Sequence, residues 1–248
     1  MSKTILIAGK NYPEAEEFAE KFALGEFTVA LSTGSDTRNS SDEENQSAAS
    51  GISLVNWNRD SAISARSLII QTETLNGFTD NYILYFDASY FASKYENCTS
   101  EICARAMDNL LLGVQYLTLE ILNRIRQHKS PCKVIFLLKS HPTFHEVLHS
   151  SALKKMNIRP ANPLVASAEA AFATFAENIA AMEAENEYAS IILISGDQAN
   201  ETCKNDESLG LWLKDYIIAL DQLKKGVPKS TSWVKAGAKA PGGFVLFR

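Results

Sequence analysis

Apolar residues along this chain fall into short unbroken runs, and between the runs they recur at intervals of three and four. The runs "TILIAG" (4–9), "FTVALS" (27–32), "ISLVNW" (52–57), "NYILYFDA" (81–88), "KVIFLL" (133–138), "SIILIS" (190–195) and "FVLF" (244–247) predict strands. Segments 13–24, 60–75, 100–128, 163–185 and 207–225 carry helical spacing. Strands apolar on both faces must be covered on both, and helical crossovers between parallel strands do this. The alternation therefore predicts an α/β architecture, a doubly wound parallel sheet of about seven strands in a single domain over 1–248. Ligands of such sheets sit beyond the carboxyl ends of the strands, so the residues following each strand are the first candidates for chemistry.

Two segments interrupt the rhythm. Gly34 to Gly51 holds five serines and four acids and no aliphatic side chain larger than alanine, the composition of a disordered loop that has too little to bury. Residues 140–162, "SHPTFHEVLHSSALKKMNIRPAN", predict a helix-bearing insertion after the fifth strand. With 248 residues and 46% apolar content the chain can bury one large core. A net charge of −5 without a basic stripe argues against nucleic acid. Strongly apolar runs stop at about five residues, against roughly 20 for a membrane span, and the first residues lack a signal-peptide core. A cytoplasmic protein without membrane partners is the expectation. Cys98, Cys103, Cys132 and Cys203 lack C-x-x-C spacing and are expected to be reduced packing residues.

His145-Glu146-Val147-Leu148-His149 matches H-E-x-x-H, the zinc-peptidase helix in which two histidines bind metal and the glutamate is the base. A third ligand would be His141 or Glu169. His141 precedes Pro142, however, and the segment lies inside an insertion. The expectation is no metal site, and a short amphipathic helix with Phe144, Val147 and Leu148 inward and the histidines solvated. On the helix from 163, Leu164, Ala168, Ala171, Phe172, Phe175, Ile179 and Met182 form a core stripe, while Ala166, Ala170, Ala173 and Ala180 form a patch of small residues. The helix near 100–128 is apolar on two sides, through Met107, Leu111, Val114 and Ile121 and through Leu112, Tyr116 and Leu119.

The first turn, Ala8-Gly9-Lys10-Asn11-Tyr12-Pro13-Glu14-Ala15, follows an apolar strand and enters a helix, as a dinucleotide-binding βα unit does. Together with the element order and "ASAEAAFATFAENIA", it resembles the short-chain dehydrogenase/reductase family over nearly the full chain. That resemblance implies a Rossmann-like fold and NAD(P)-dependent carbonyl or enoyl reduction. The family's T-G-x-x-x-G-x-G keeps one glycine here, Gly9. Pro13, expected at the first helical position, and Glu14 stand where a diphosphate would approach. The family's N-N-A-G falls on Phe86-Asp87-Ala88-Ser89, and its adenine-facing aspartate on Asn58. The contacts to a cofactor implied by the resemblance are Gly9, Lys10, Tyr12, Asn58 and Ala88, with NAD(H) preferred to NADP(H) because no basic pair follows the second strand.

The family's Y-x-x-x-K falls on Leu164 and Ala168, neither of which can transfer a proton. Its serine falls on Lys139 or Ser140. Its asparagine does not carry over, since Asn109 lies four residues before Gly113. Its proline-glycine falls on Ser195-Gly196, with Thr202 a remnant of the following threonine. The resemblance also implies a homo-oligomer through helices 100–128 and 163–185. The expectation is an inactive, dimeric binding or scaffold protein with no catalytic residues and at most a weak nucleotide ligand. The alternatives are a diverged reductase whose proton donor is Tyr12, Tyr90 or Tyr95 and, more remotely, a zinc hydrolase through His145, Glu146 and His149.

Overall fold

A computed structural model describes residues 2–25, 27–34, 51–155, 158–223 and 226–241. The strands are β1 (Lys3–Tyr12), β2 (Phe27–Thr33), β3 (Ile52–Asn56), β4 (Thr79–Asp87), β5 (Cys132–Ser140), β6 (Ala189–Asp197) and β7 (Val234–Lys235). They form one sheet in the order β3-β2-β1-β4-β5-β6-β7, every pair parallel. This is the doubly wound α/β sheet expected, reversing direction between β1 and β4. The seventh strand differs from the expectation. It is Val234–Lys235, two residues in a stretch too polar to announce a strand, while 244–247 and the acidic segment 35–50 lie outside the described residues.

The helices are α1 (Glu16–Ala23), α2 (Ala62–Asn76), α3 (Ala88–Lys94), α4 (Ser100–Met107), α5 (Gly113–His128), α6 (Phe144–His149), α7 (Ser151–Lys155), α8 (Pro163–Met182) and α9 (Asp206–Asp221). A π-helical turn, Asp108–Leu112, joins α4 to α5, so the long helix expected over 100–128 is one rod with a widened turn. Alternate residues of each central strand feed opposite cores. Leu6, Ala8, Tyr82, Leu84, Phe86, Val134 and Phe136 pack with α2, α5 and α8. Ile5, Ile7, Ile83, Tyr85, Ile135 and Leu137 pack with α1 and α9. Cys132 and Cys203 are buried in these cores, whereas Cys98 is exposed and Cys103 only half-buried, so packing accounts for one pair and not the other.

Several local expectations are corrected. Pro13 does not open a helix: β1 runs on to Tyr12, Pro13 lies in the turn, and α1 begins at Glu16 with Ala15 as its N-cap. Helix α6 has no inward apolar face, since Phe144 is 58% and Leu148 63% exposed. On α8 the buried stripe is Val165, Ala168, Phe172, Ala176 and Ile179, and Met182, which ends the helix, is exposed.

Gly9 is fixed by the sheet itself. Its φ is +118°, and a Cβ there would stand 2.2 Å from the Tyr85 carbonyl oxygen on β4. Gly77, also at positive φ (+81°), has open space around it. Gly9→Ala should therefore cost on the order of 3 kcal/mol or more in urea unfolding, because strain and a backbone clash add, against about 1 kcal/mol for Gly77→Ala, where only φ is unfavourable.

Candidate functional site

The sheet's switch point, where a doubly wound fold binds its ligands, is occupied by the chain's own charges. Between Ile7 and Tyr12 the pairing of β1 with β2 slips, and this bulge turns Lys10 inward until it is only 8% exposed. Its Nζ lies 2.9 Å from Asp87 Oδ2, at the end of β4, and 2.6 Å from Asp206 Oδ2, in the first turn of α9. Lys139, in register with Asp87 across β4–β5, adds a second ammonium 3.5 Å from Asp87 and 3.4 Å from Asp206. The Tyr85 hydroxyl donates to Asp206 Oδ1 at 3.0 Å. Asp87 Oδ1 meanwhile caps α3, accepting from the amides of Ser89 and Tyr90.

Two cations, two anions and a phenol thus satisfy one another away from water. Burial alone would push the Asp87 carboxyl up, but Lys10 and Lys139 outweigh it and hold the group below its usual range. Burial would likewise lower Lys10, and the two aspartates reverse the sign and raise it. The Tyr85 phenol is driven well above its usual value by burial and then by Asp87 and Asp206. A proton-transfer tyrosine needs the opposite shift.

Beside this cluster Arg59, following β3, reaches into the crevice and is 6% exposed. Its guanidinium donates to the Gly9 carbonyl, to Asn11 Oδ1 at 3.0 Å and to the Asn109 carbonyl at 3.1 Å. The rings of Trp57 and Phe91 flank it at 4.9 and 5.4 Å. Burial lowers its pKa, which the phenols of Tyr90 and Tyr95 and the Asp60 carboxylate oppose only partly. Gly113 permits the approach: a Cβ there would lie 2.6 Å from Arg59 Cβ.

The five expected cofactor contacts have these surroundings. Gly9 accommodates β4, and Lys10 is neutralised by aspartates. Tyr12 packs into the core between sheet, α1 and α9. Asn58 is exposed and closes its own turn, its Oδ1 accepting from the Asp60 amide. Ala88 is fully buried as the first residue of α3. A diphosphate fits these residues poorly, because the amide that would approach it is in a strand, and Glu14, Glu16 and Glu17 crowd the start of α1 with negative charge.

Beyond β5 and β6 lies a cleft of about 730 Å³. Ser140, Ser195 and Gly196 line it, whereas Lys139 belongs to the charge cluster and Thr202 stands in a short 3₁₀ turn outside the lining. From α8 the cleft receives Ala166, Glu169, Ala170 and Ala173, so three of the four alanines expected to face a second helix face this space, and Ala180 is buried. Leu164 packs on the core and Ala168 is buried in it. The residues facing the cleft at four-residue spacing are Ala166 with Ala170 and Glu169 with Ala173, and of these Glu169 alone can hold a proton. Tyr12, Tyr90 and Tyr95 do not line it. Burial raises the Tyr95 phenol, again the wrong direction for an acid at neutral pH.

The zinc pattern is not completed. His145 and His149 stack on the exposed face of α6, their ring centres 4.6 Å apart. Glu146 Oε2 is engaged in a capping box with Thr143. Among the described residues no three His, Cys, Asp or Glu side chains converge as a metal site.

Lys139, Asp87, Tyr85, Asp206 and Arg59 are the residues that sequence reasoning did not bring together. One signal was present: Lys10, Asp87 and Lys139 each end an apolar run, on strands that prove adjacent.

No protein-family model matches the chain, and no curated protein is similar to it in sequence. Solved structures are similar in fold. A short chain dehydrogenase from Mycobacterium smegmatis is 16% identical with a TM-score of 0.63, over 96% of this chain and 92% of that one. A short-chain dehydrogenase/reductase, glucose/ribitol dehydrogenase, from Brucella melitensis is 14% identical with a TM-score of 0.63, over 95% and 96%. The NADH-dependent reductase A1-R′ complexed with NAD is 13% identical with a TM-score of 0.55, over 88% and 87%. The chain has the fold of the short-chain dehydrogenases/reductases, as its element order implies.

Lys10→Met should destabilise the protein by about 3–5 kcal/mol in urea unfolding, since Asp87 and Asp206 would then share one lysine in a buried site. The pH dependence has two arms. Asp87, lowered in the fold, contributes stability above its unfolded value of about 3.9, which is lost as pH falls through the folded value. Lys10, raised in the fold, contributes below about 10.4, and this is lost only as pH rises through its folded value. Thermal denaturation should therefore be nearly flat from about pH 5 to 9 as far as this cluster is concerned. In Lys10→Met the alkaline loss should shrink.

Proposed function

We propose that this protein is a non-catalytic binding or scaffold protein built on the short-chain dehydrogenase/reductase fold, with its nucleotide crevice replaced by internal charge pairing. The observation supporting this most directly is the buried cluster of Lys10, Lys139, Asp87 and Asp206, with Arg59 beside it. A dinucleotide entering there would have to break several charged contacts inside a low-dielectric site, and its diphosphate would meet two aspartates and the glutamates of α1. The replacement of the proton-donating pair by residues that do not titrate points the same way.

The protein is cytoplasmic in this reading, and no described helix is long and apolar enough to cross a membrane. It works as a homo-oligomer. Supporting this is Leu119, 47% exposed on α5, one of the helices through which the resembled family pairs. Light scattering should give a mass of two chains or more, and Leu119→Glu should shift it toward one.

A second reading, a diverged nicotinamide-dependent reductase, draws on the named cofactor of a structural neighbour, the reductase complexed with NAD. Calorimetric titration separates the two. NADH and NADPH are expected to bind with dissociation constants above about 100 μM, weaker than about −5.5 kcal/mol. A low-micromolar constant for either, or cofactor-dependent reduction of any member of a ketone and aldehyde panel, would overturn the non-catalytic reading.

A further inference from the structure

The H-E-x-x-H segment holds an arrangement that neither the core nor the cleft uses. Helix α6 is six residues long, and its N-cap Thr143 and its Glu146 line the cleft. His145 and His149 do not. Both are exposed, with ring centres 4.6 Å apart and ring planes inclined by 52°. Among the described residues, no hydrogen bond or ion pair engages either imidazole. Two ring systems one helical turn apart are therefore left with their nitrogens facing water.

Residues four apart on a helix are neighbours, with about 5–6 Å between their Cβ atoms, and an imidazole nitrogen binds zinc at about 2.0–2.1 Å. Exposed rings can turn toward a shared ion without disturbing any packing. Imidazole suits zinc, copper and nickel, whereas magnesium and calcium prefer carboxylate and carbonyl oxygens. The pair is one protein ligand short of a catalytic zinc site. Of the two expected third ligands, His141 is 8% exposed, its Nε2 2.7 Å from the Arg159 carbonyl oxygen and its Nδ1 2.8 Å from Gln198 Nε2. Glu169 Oε2 is buried without a hydrogen-bond partner and has no surface through which to reach an ion at the exposed pair. Glu146 Oε2 is held by the Thr143 amide and hydroxyl at 2.8 and 3.0 Å. Water must complete the coordination.

We propose that His145 and His149 form a two-imidazole site for an exchangeable divalent transition-metal ion of the zinc, copper or nickel class, and that the bound ion fastens the α6 wall of the cleft. A helix of six residues gains few hydrogen bonds against its cost of nucleation, so α6 depends on its capping box and its flanks. An ion bridging one turn favours the helical form by the ratio of its affinities for the closed and open segment. Thr143 and Glu146 are held in place with that turn. The proposal goes beyond the non-catalytic reading and fails separately from it, since a nicotinamide titration reports on the β1–β4 crevice and a metal titration on α6.

The test titrates the full chain with Ni²⁺ and Mg²⁺ at about pH 7.5 by calorimetry. Ni²⁺ should bind the pair with a dissociation constant below about 100 μM, and Mg²⁺ should give no binding there up to about 1 mM. His145→Ala and His149→Ala should each weaken Ni²⁺ binding about tenfold or more, because the remaining ring loses the effective concentration of its neighbour. His128→Ala, which alters an exposed histidine outside the pair, should leave it within about twofold. With saturating Ni²⁺, hydrogen exchange of the α6 amides should slow about fivefold or more in the wild-type chain and stay unchanged in His149→Ala. No Ni²⁺ binding up to about 1 mM, equal affinity for Mg²⁺, or binding that survives either pair variant would each overturn the proposal. So would a loss in His128→Ala equal to that in the pair variants. Both replaced rings are exposed, and if a variant still fails to fold the wild-type exchange decides: bound Ni²⁺ without slower exchange over α6 refutes the assignment.

Discussion

The pairing of Lys10 with Asp87 and Asp206 is the constraint around which the carboxyl edge of the sheet is arranged. It ties the end of β1 to the end of β4 and to the first turn of α9, and Lys139 extends the tie to β5. Neither aspartate has room to remain charged and unpaired, so neither lysine is free to meet an incoming phosphate. The bulge in β1 and the fit of Gly9 under Tyr85 both serve to bring Lys10 to this point. Arg59 completes the arrangement by donating to the Gly9 carbonyl at the bulge and to the Asn109 carbonyl in the π-helical turn.

The two halves of the carboxyl edge have consequently diverged. On the β1–β4 side, polar groups are matched to one another and to aromatic faces, which favours rigidity over exchange with a ligand. On the β5–β6 side, the insertion and the alanine face of α8 leave a cleft with apolar walls. Among the described residues, the open space at this edge of the sheet lies beyond β5 and β6.

Much of the architecture was legible in the chain itself. Unbroken apolar runs required a sheet covered on both faces, helical spacing between them required crossovers, and the result was a parallel doubly wound sheet. That Leu164 and Ala168 cannot transfer a proton was also plain, because no conformation turns leucine or alanine into an acid. Boundaries were less secure. Pro13 carried the expectation of a helix start, yet β1 runs on because its backbone finds pairing beyond Gly9, and β7 is too short for any pattern.

The chain alone determined most of the strands and helices, their order, and that residues 164 and 168 carry no titrating group, since these depend on residue type and local spacing. Only the tertiary structure decided what became of the charges. Lys10 and Asp206 stand 196 residues apart, and no local pattern relates them. Asn58 and Arg59 are sequence neighbours, yet one faces solvent and the other fills the crevice, a difference made by the close approach of α5 at Gly113. The unmatched oxygen of Glu169 belongs to the same class of fact, because whether a buried carboxylate is satisfied depends on every element packed around it.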